Sequence, residues 1–189
     1  MQYTDVPGYF DFEQYYTEIA NSAPNGSTII EVGCWLGRSI IYMAEEIAAL
    51  KKDVRIFGVD TWRGSDDHDA NDQVLIKQKH YGYLLHQFLN NVRACGVQSL
   101  ITPLCMPSVE AARFFEEQSV YMVFIDAQHT YDAVKADIAA WRGKVKPGGF
   151  LSGHDYGWAG PEQVKRAVDE AFPKVRLMGR CNSSWMVQL

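Results

Sequence analysis

Glu31-Val-Gly-Cys-Trp-Leu-Gly-Arg-Ser39 is the stretch that decides the fold of this 189-residue chain. The apolar run Thr28–Val32 leads into it, and a helical pattern of apolar residues begins at Ser39. Glycine lets the backbone turn tightly and approach a ligand closely, and a helix that begins after a strand offers free N–H groups. The stretch therefore predicts a strand, a ligand-binding turn and a helix.

On either side of this unit, apolar runs alternate with helical patterns. The predicted helices cover residues 11–22, 39–50, 74–95, 109–117, 132–142 and 162–172. The predicted strands cover residues 28–32, 54–59, 100–104, 120–125, 150–152, 175–178 and 185–189, with a turn at Pro147-Gly-Gly149. Such alternation predicts a Rossmann-like, doubly wound α/β fold. Its seven-stranded sheet is expected to be mostly parallel, with an antiparallel closing strand, in three α/β/α layers.

Residues 1–189 are expected to form one domain, in which the polar loop 61–73 acts as a lid over the substrate. The net charge is −5 and the basic residues are scattered, which argues against a nucleic-acid partner. The sequence has no signal-peptide pattern, no metal-clip cysteine spacing and no apolar run of the ~18 residues that a membrane span needs. A cytoplasmic protein without a membrane partner is expected, and its oligomeric state, including a homo-oligomer, stays open.

Asp60 ends the second predicted strand, at the sheet edge where ligands bind in folds of this class. Its carboxylate can accept hydrogen bonds from both hydroxyls of a ribose. A dinucleotide site requires G-x-G-x-x-G, because the middle glycine lets the pyrophosphate touch the backbone, and Trp35 occupies that position here. The wider spacing of Gly33 and Gly37 favours S-adenosylmethionine, which has no phosphate. A side chain at either glycine is expected to enter the space of the donor's methionine tail.

A second set of polar residues follows two later strands. Asp126 and His129 come after the fourth predicted strand, and His154 and Asp155 come after the fifth. Neighbouring parallel strands bring such residues to one rim of the sheet. An imidazole with an ordinary pKa near ~6.5 suits a base at neutral pH.

Four blocks occur in a recognisable order: Glu31–Ser39, Gly58–Trp62, Phe124–Tyr131 and Lys146–Tyr156. In this order they resemble the class I methyltransferases of the methyltransferase 24 group. The chain is more distantly similar to macrocin-type sugar O-methyltransferases and to catechol O-methyltransferase. The resemblance covers roughly residues 28–156. It implies methyl transfer from S-adenosylmethionine to a hydroxyl of a small molecule, such as a sugar or a natural product.

The resemblance also implies which residues contact the donor. Glu31 and Gly33 would face its methionine end, Asp60 its ribose and Ser108 its adenine, while Met106 replaces an acid that many relatives direct at the adenine amino group. The full predicted set of donor contacts is Glu31, Gly33, Trp35, Gly37, Ser39, Asp60, Thr61, Trp62, Ser108 and Asp126.

The catalytic assignments come from the same resemblance. In metal-dependent relatives, the residues that correspond to Asp126, His154 and Asp155 hold a divalent ion. Many of those relatives have an acid in place of His154, so manganese, iron or zinc is favoured here over magnesium. His129, three residues after Asp126, is the predicted base. The alternatives are that His154 is itself the base without a metal, or that the histidines are structural.

Two further functions stay open from the sequence. A nicotinamide-dependent oxidoreductase can use a similar sheet, although Trp35 argues against a pyrophosphate. A non-catalytic nucleoside-binding module is the other alternative, and the polar residues after the fourth and fifth strands argue against it.

Overall fold

A seven-stranded sheet in the order β3-β2-β1-β4-β5-β7-β6 forms the centre of the molecule. The computed structural model describes residues 1–64, 82–157, 162–179 and 183–189. The strands are β1 Ser27–Val32, β2 Val54–Asp60, β3 Ile101–Cys105, β4 Val120–Ile125, β5 Val145–Gly153, β6 Arg176–Met178 and β7 Ser184–Gln188. β1 to β5 pair in parallel, and β7 pairs antiparallel with both β5 and β6. The predicted sheet, including its antiparallel closing strand, is confirmed.

Helices cover both faces of this sheet. They are α1 Glu13–Ser22, α2 Arg38–Ala49, α3 Tyr83–Ala94, α4 Ser108–Ala111, α5 Tyr131–Arg142 and α6 Gln163–Ala171, with 3-10 turns at Tyr3–Asp5 and Ala112–Phe114. Side chains of β1 alternate between the two faces, so that Ile29 joins the core under α1 to α3 and Ile30 joins the core under α4 to α6. This is the period-two pattern of a sheet buried on both sides, and it confirms the three-layer architecture.

Three predicted element boundaries need correction or lie outside the described residues. The Pro147-Gly-Gly149 turn is a bulge inside β5, because the register with β4 moves from Val120 opposite Val145 to Met122 opposite Phe150. The helix predicted over 109–117 ends at Ala111 and a 3-10 turn follows, after which Phe115 packs its ring against Phe57 and Trp141. The first part of the helix predicted over 74–95 lies outside the described residues, and α3 begins at Tyr83.

Candidate functional site

A cavity of about 770 Å³ lies at the carboxyl ends of the parallel strands. This is the edge at which doubly wound sheets bind ligands, and the volume is that of a small-molecule site. Its walls are the N-terminal segment 7–9, the turn between β1 and α2, the end of β2, residues 106–109, residues 126–129, one face of α5 and residues 154–155. The cavity therefore joins both sets of polar residues that the sequence singled out.

The Asp60 carboxylate organises the turn between β1 and α2. One of its oxygens accepts hydrogen bonds from the backbone N–H groups of Cys34 and Trp35, both at 2.9 Å. The other oxygen accepts from the N–H of Trp62 at 2.7 Å. Asp60 is half-buried and lines the cavity, at the position from which the sequence predicted a ribose contact.

The two glycines of this turn are required by packing inside the protein. Gly33 has φ +87°, and a Cβ there would lie 1.9 Å from the carbonyl oxygen of Asp126, which is backbone that cannot move aside. Gly37 has φ +97° and lies against the Phe88 ring, with a Cβ-to-ring distance of 3.0 Å. Both glycines have the positive φ that a side chain disfavours. At Gly33 a side chain would also meet the Asp126 backbone just after β4, and the predicted contact with a methionine tail stays a prediction.

Glu31 is buried and faces the protein interior. Tyr16 donates a hydrogen bond to one of its oxygens at 2.7 Å, and Ser39 donates to the other at 2.8 Å. Burial raises the pKa of the Glu31 carboxyl to about 8, although both hydrogen bonds act in the opposite direction. Its position links α1 and α2 to β1, and the predicted contact with the donor stays a prediction.

Most of the predicted donor contacts surround the same cavity. Those that line it are Gly33, Trp35, Ser39, Asp60, Thr61, Ser108 and Asp126, whereas Glu31, Gly37 and Trp62 do not. Trp62 is buried against Phe88, and its indole N–H donates to the carbonyl of Trp35 at 2.9 Å. Trp62 is thus a core residue at the start of the predicted lid, of which only residues 61–64 are described.

Four polar side chains form a cluster on the rim formed by β4 and β5. The Nε2 atom of His129 lies 2.9 Å from the Asp155 carboxylate, and the Nδ1 atom of His154 lies 3.3 Å from the same oxygen. The Asp126 carboxylate lies 3.8 Å from His154 Nδ1. Asp155 has φ +59°, a left-handed conformation that is uncommon for a residue with a side chain. The predicted grouping of these four residues is what the structure shows.

The charges of this cluster are mutually dependent. Burial raises the pKa of Asp126 to about 6, against the opposing charge of His154. Burial alone would lower the pKa of His154, but the carboxylates of Asp126, Asp155 and Asp11 outweigh it and raise the pKa to about 10. Burial also opposes ionisation of Asp155, yet hydrogen bonds from His129 and His154 hold its pKa well below the ordinary value.

Asp11 is a member of the site that sequence reasoning missed. Its carboxylate lies 3.1 Å from Nε2 of His154 and accepts hydrogen bonds from the Ser183 hydroxyl at 3.0 and 2.9 Å. Both ring nitrogens of His154 therefore face carboxylates. Asp11 precedes α1 and is far from His154 in the sequence, so no local spacing connects the two.

Asp137 is a second residue that sequence reasoning missed. It is 5% exposed, lies on α5 and lines the cavity beside Ser108. Burial raises the pKa of Asp137, and a hydrogen bond with Ser108 opposes that shift. The Ser108 hydroxyl also accepts a hydrogen bond from the Trp141 indole at 2.8 Å. An acid among the inward-facing residues Val134, Ile138 and Trp141 was the available signal.

The fold and this cavity have the architecture of class I S-adenosylmethionine-dependent methyltransferases. A family model described as a methyltransferase domain, methyltransferase 24, matches residues 30–156. The chain belongs to this family. The match covers all four sequence blocks and decides for the methyl donor over a nicotinamide cofactor.

A curated relative and several solved structures are also similar. An uncharacterised protein of Sinorhizobium fredii is 27% identical over 129 residues, which cover 67% of this chain and 13% of that protein's length. The O-methyltransferase NovP superposes with a TM-score of 0.70 at 18% identity, over 93% of this chain and 78% of NovP. The calicheamicin methyltransferase CalS11 gives 0.64 at 16% identity, over 93% of this chain and 76% of its own.

The same fold occurs in a protein from Clostridium thermocellum that is provisionally described as an rRNA methylase. Its TM-score is 0.66 at 12% identity, over 96% of this chain and 99% of that one. Similarity at this level establishes the fold alone, so the acceptor has to be inferred from the site. Within the described residues, no helix has both the length and the apolar character needed to cross a membrane.

Proposed function

We propose that this chain transfers the methyl group of S-adenosylmethionine to a hydroxyl of a small molecule. The observation that carries the proposal is a single cavity of about 770 Å³ that has Asp60 on one wall and the cluster of Asp126, His129, His154 and Asp155 on another. The first wall suits the ribose of the donor, and the second provides groups that can orient and deprotonate a hydroxyl. The cavity size suits a small acceptor beside the donor.

Donor binding would use the wall formed by the turn between β1 and α2. Asp60 would accept hydrogen bonds from the ribose hydroxyls. Arg38 also lines the cavity, where its guanidinium donates to the carbonyl of Gly8 at 3.2 Å while its buried Nε atom has no hydrogen-bond partner among the described residues. A buried unsatisfied donor is costly, and the carboxylate of the donor's methionine end would satisfy it.

His129 is the residue that would accept the hydroxyl proton. Asp155 contacts its Nε2 atom at 2.9 Å, which is the arrangement of a base held by an orienting carboxylate. His154 is less suited to this role, because carboxylates face both of its ring nitrogens. The side chain of His129 is the more exposed of the two, at 31% against 13%, but its Nδ1 atom, which is the nitrogen that does not face Asp155, is buried, so the ring has to move for a hydroxyl to reach it.

A divalent ion fits the remaining groups. Asp126, His154 and Asp155 each offer one ligand atom, and these atoms all lie within 4.8 Å of one another. Asp11 faces the opposite nitrogen of His154, as carboxylates do behind histidine ligands. One imidazole with two carboxylates favours manganese, iron or zinc. A bound ion would supply a Lewis acid that lowers the pKa of the acceptor hydroxyl.

The proposal is tested by incubating the chain and radiolabelled S-adenosylmethionine with a panel of catechols, sugars and phenols. A separate incubation uses total RNA as the acceptor. The proposal expects label in at least one small hydroxylated compound, and expects Asp126→Asn to abolish it while the exposed-site control Asp132→Asn does not. Label in RNA alone, or on nitrogen alone, would overturn it.

Metal binding has its own readout. Metal-depleted protein titrated with Mn²⁺ in a calorimeter is expected to bind one ion, and Asp126→Asn is expected to weaken that binding at least tenfold while Asp132→Asn leaves it unchanged. Absence of saturable binding of Mn²⁺, Fe²⁺ and Zn²⁺ would remove the metal from the proposal and leave the His129 role intact.

A further inference from the structure

We infer that Asp137 accepts a hydrogen bond from the exocyclic amino group of the donor's nucleobase and thereby makes the site specific for adenine. The inference rests on the proposed function, because it assumes that an adenosyl donor occupies the cavity. It adds a residue that neither the sequence motifs nor the cluster on the rim includes.

The first argument is position. Asp60 lies at the end of β2, and the cluster of Asp126 and its neighbours lies at the ends of β4 and β5. A third wall of the cavity is formed by residues 106–109, which follow β3, and by Ala133, Ala136 and Asp137 of α5. If the ribose of the donor lies at Asp60 and its methyl group lies at the cluster, its nucleobase lies against this third wall.

The second argument is the chemistry of that wall. Met106, Pro107 and Val109 are apolar, and the small side chains of Ala133 and Ala136 leave room beside the helix, as a flat aromatic base requires. Asp137 is the acid on this wall and is 5% exposed. An apolar slot with one convergent polar group at its edge is typical of a site that both binds and orients a base.

The third argument is the hydrogen bonding of Asp137 itself. A buried carboxyl in the middle of a helix is unfavourable for both burial and helix propensity. Ser108 is its hydrogen-bond partner, and the Trp141 indole in turn donates to Ser108 at 2.8 Å, so the carboxyl is held in a fixed orientation. A carboxyl has about four lone-pair positions when ionised and keeps an acceptor when protonated. When ionised it can accept from the amino group of adenine, whereas it has no proton to donate to the carbonyl that hypoxanthine places there.

Calorimetry with two ligands that differ only in the base tests this inference. The probes are S-adenosylhomocysteine and its deaminated analogue, S-inosylhomocysteine. Loss of one hydrogen bond to a charged group corresponds to roughly a 10- to 100-fold change in Kd. The unmodified chain is expected to bind the adenosyl ligand more tightly by a factor in that range.

Substitution of Asp137 assigns the effect to this residue. An asparagine amide can present an acceptor to adenine or a donor to hypoxanthine, so Asp137→Asn is expected to bring the two Kd values within about threefold of each other. Asp137→Ala, which suits a helix, is expected to do the same and serves if the first variant does not fold. Asp132→Asn is the matched control, since it is the same change at an exposed position of the same helix and should keep the full preference.

The outcomes separate the inference from the proposed function. If the unmodified chain binds neither ligand, the proposed function fails. If it binds both equally, or if the Asp137 variants weaken both ligands by the same factor, then Asp137 has a structural role only and the inference fails while the donor site stands.

Discussion

The two acidic walls of the cavity are held in place in different ways. At the donor wall, Asp60 is fixed by three backbone N–H groups, those of Cys34, Trp35 and Trp62. At the rim, Asp126 and Asp155 face imidazoles rather than backbone, at distances from 2.9 to 3.8 Å. A backbone-held carboxylate stays in place when neighbouring side chains change. A cluster held by side chains depends on the charge of each member, which suits proton transfer but makes it sensitive to single substitutions.

The backbone framework of the donor wall gives the largest expected effect. Gly33 and Gly82 both have φ +87°, but a Cβ at Gly33 meets the backbone of Asp126 whereas a Cβ at Gly82 meets no atom of the described part of the chain within 4 Å. Gly82→Ala should cost only the strain of a left-handed residue, about 1–2 kcal/mol. Gly33→Ala should cost more than about 4 kcal/mol or prevent folding. Chemical denaturation followed by circular dichroism measures both, and equal losses would contradict the packing account.

At the rim, removal of a single side chain should stop the chemistry and spare the fold. His129→Ala is expected to lower the turnover number by ~10²–10⁴, the usual contribution of a positioned base. The Kd for S-adenosylhomocysteine should change less than threefold, because His129 is placed to serve the acceptor. His86→Ala, at an exposed histidine on α3, is the control. A turnover within threefold of the unmodified chain would remove His129 from the mechanism.

The donor wall itself should show a smaller effect on binding. Asp60→Ala is expected to weaken S-adenosylhomocysteine by ~1–3 kcal/mol, through loss of ribose hydrogen bonds. It should also lower the Tm, since three backbone N–H groups lose their acceptor. Asp60→Asn keeps one acceptor oxygen, so it should lose less of both. Calorimetry compared with the exposed control Asp53→Asn measures the effect, and unaltered affinity in Asp60→Ala would contradict the ribose assignment.

The sequence predicted those features that depend on residues close together in the chain. The strands, the turn at Gly33 and the positions of Asp60, Asp126, His154 and Asp155 follow from apolar runs and from where each run ends. Asp11 and Asp137 were missed because their contacts, with His154 and Ser108, join segments far apart in the chain. Gly33 was recognised from the turn, but its contact with the Asp126 backbone was not predicted, because Asp126 follows β4 and is distant in the sequence.

Glu31 offers the mildest test, through the pH dependence of stability. Its pKa in the folded chain is raised from 4.5 to about 8, so the folded state holds its proton more tightly than the unfolded state does. Its contribution to stability is therefore full below pH 4.5 and is lost as the pH rises towards 8. About 1 kcal/mol corresponds to roughly 2–4 °C in Tm for a chain of this size.

The Tm of the ligand-free chain is accordingly expected to fall by several degrees between pH 5 and pH 8.5. Glu31→Gln, which does not titrate, should flatten this dependence, whereas Glu116→Gln at an exposed position should not. Parallel curves for Glu31→Gln and the unmodified chain would show that Glu31 has an ordinary pKa.

The central claim is that one cavity holds the donor between a backbone-fixed ribose site and a titratable rim. A crystal structure of the complex with S-adenosylhomocysteine tests it most directly. The account predicts ribose hydroxyls within hydrogen-bond distance of Asp60, the base beside Asp137 and the sulfur facing Asp126 and His129. A ligand bound with its base at the rim, or in a different cavity, would contradict it.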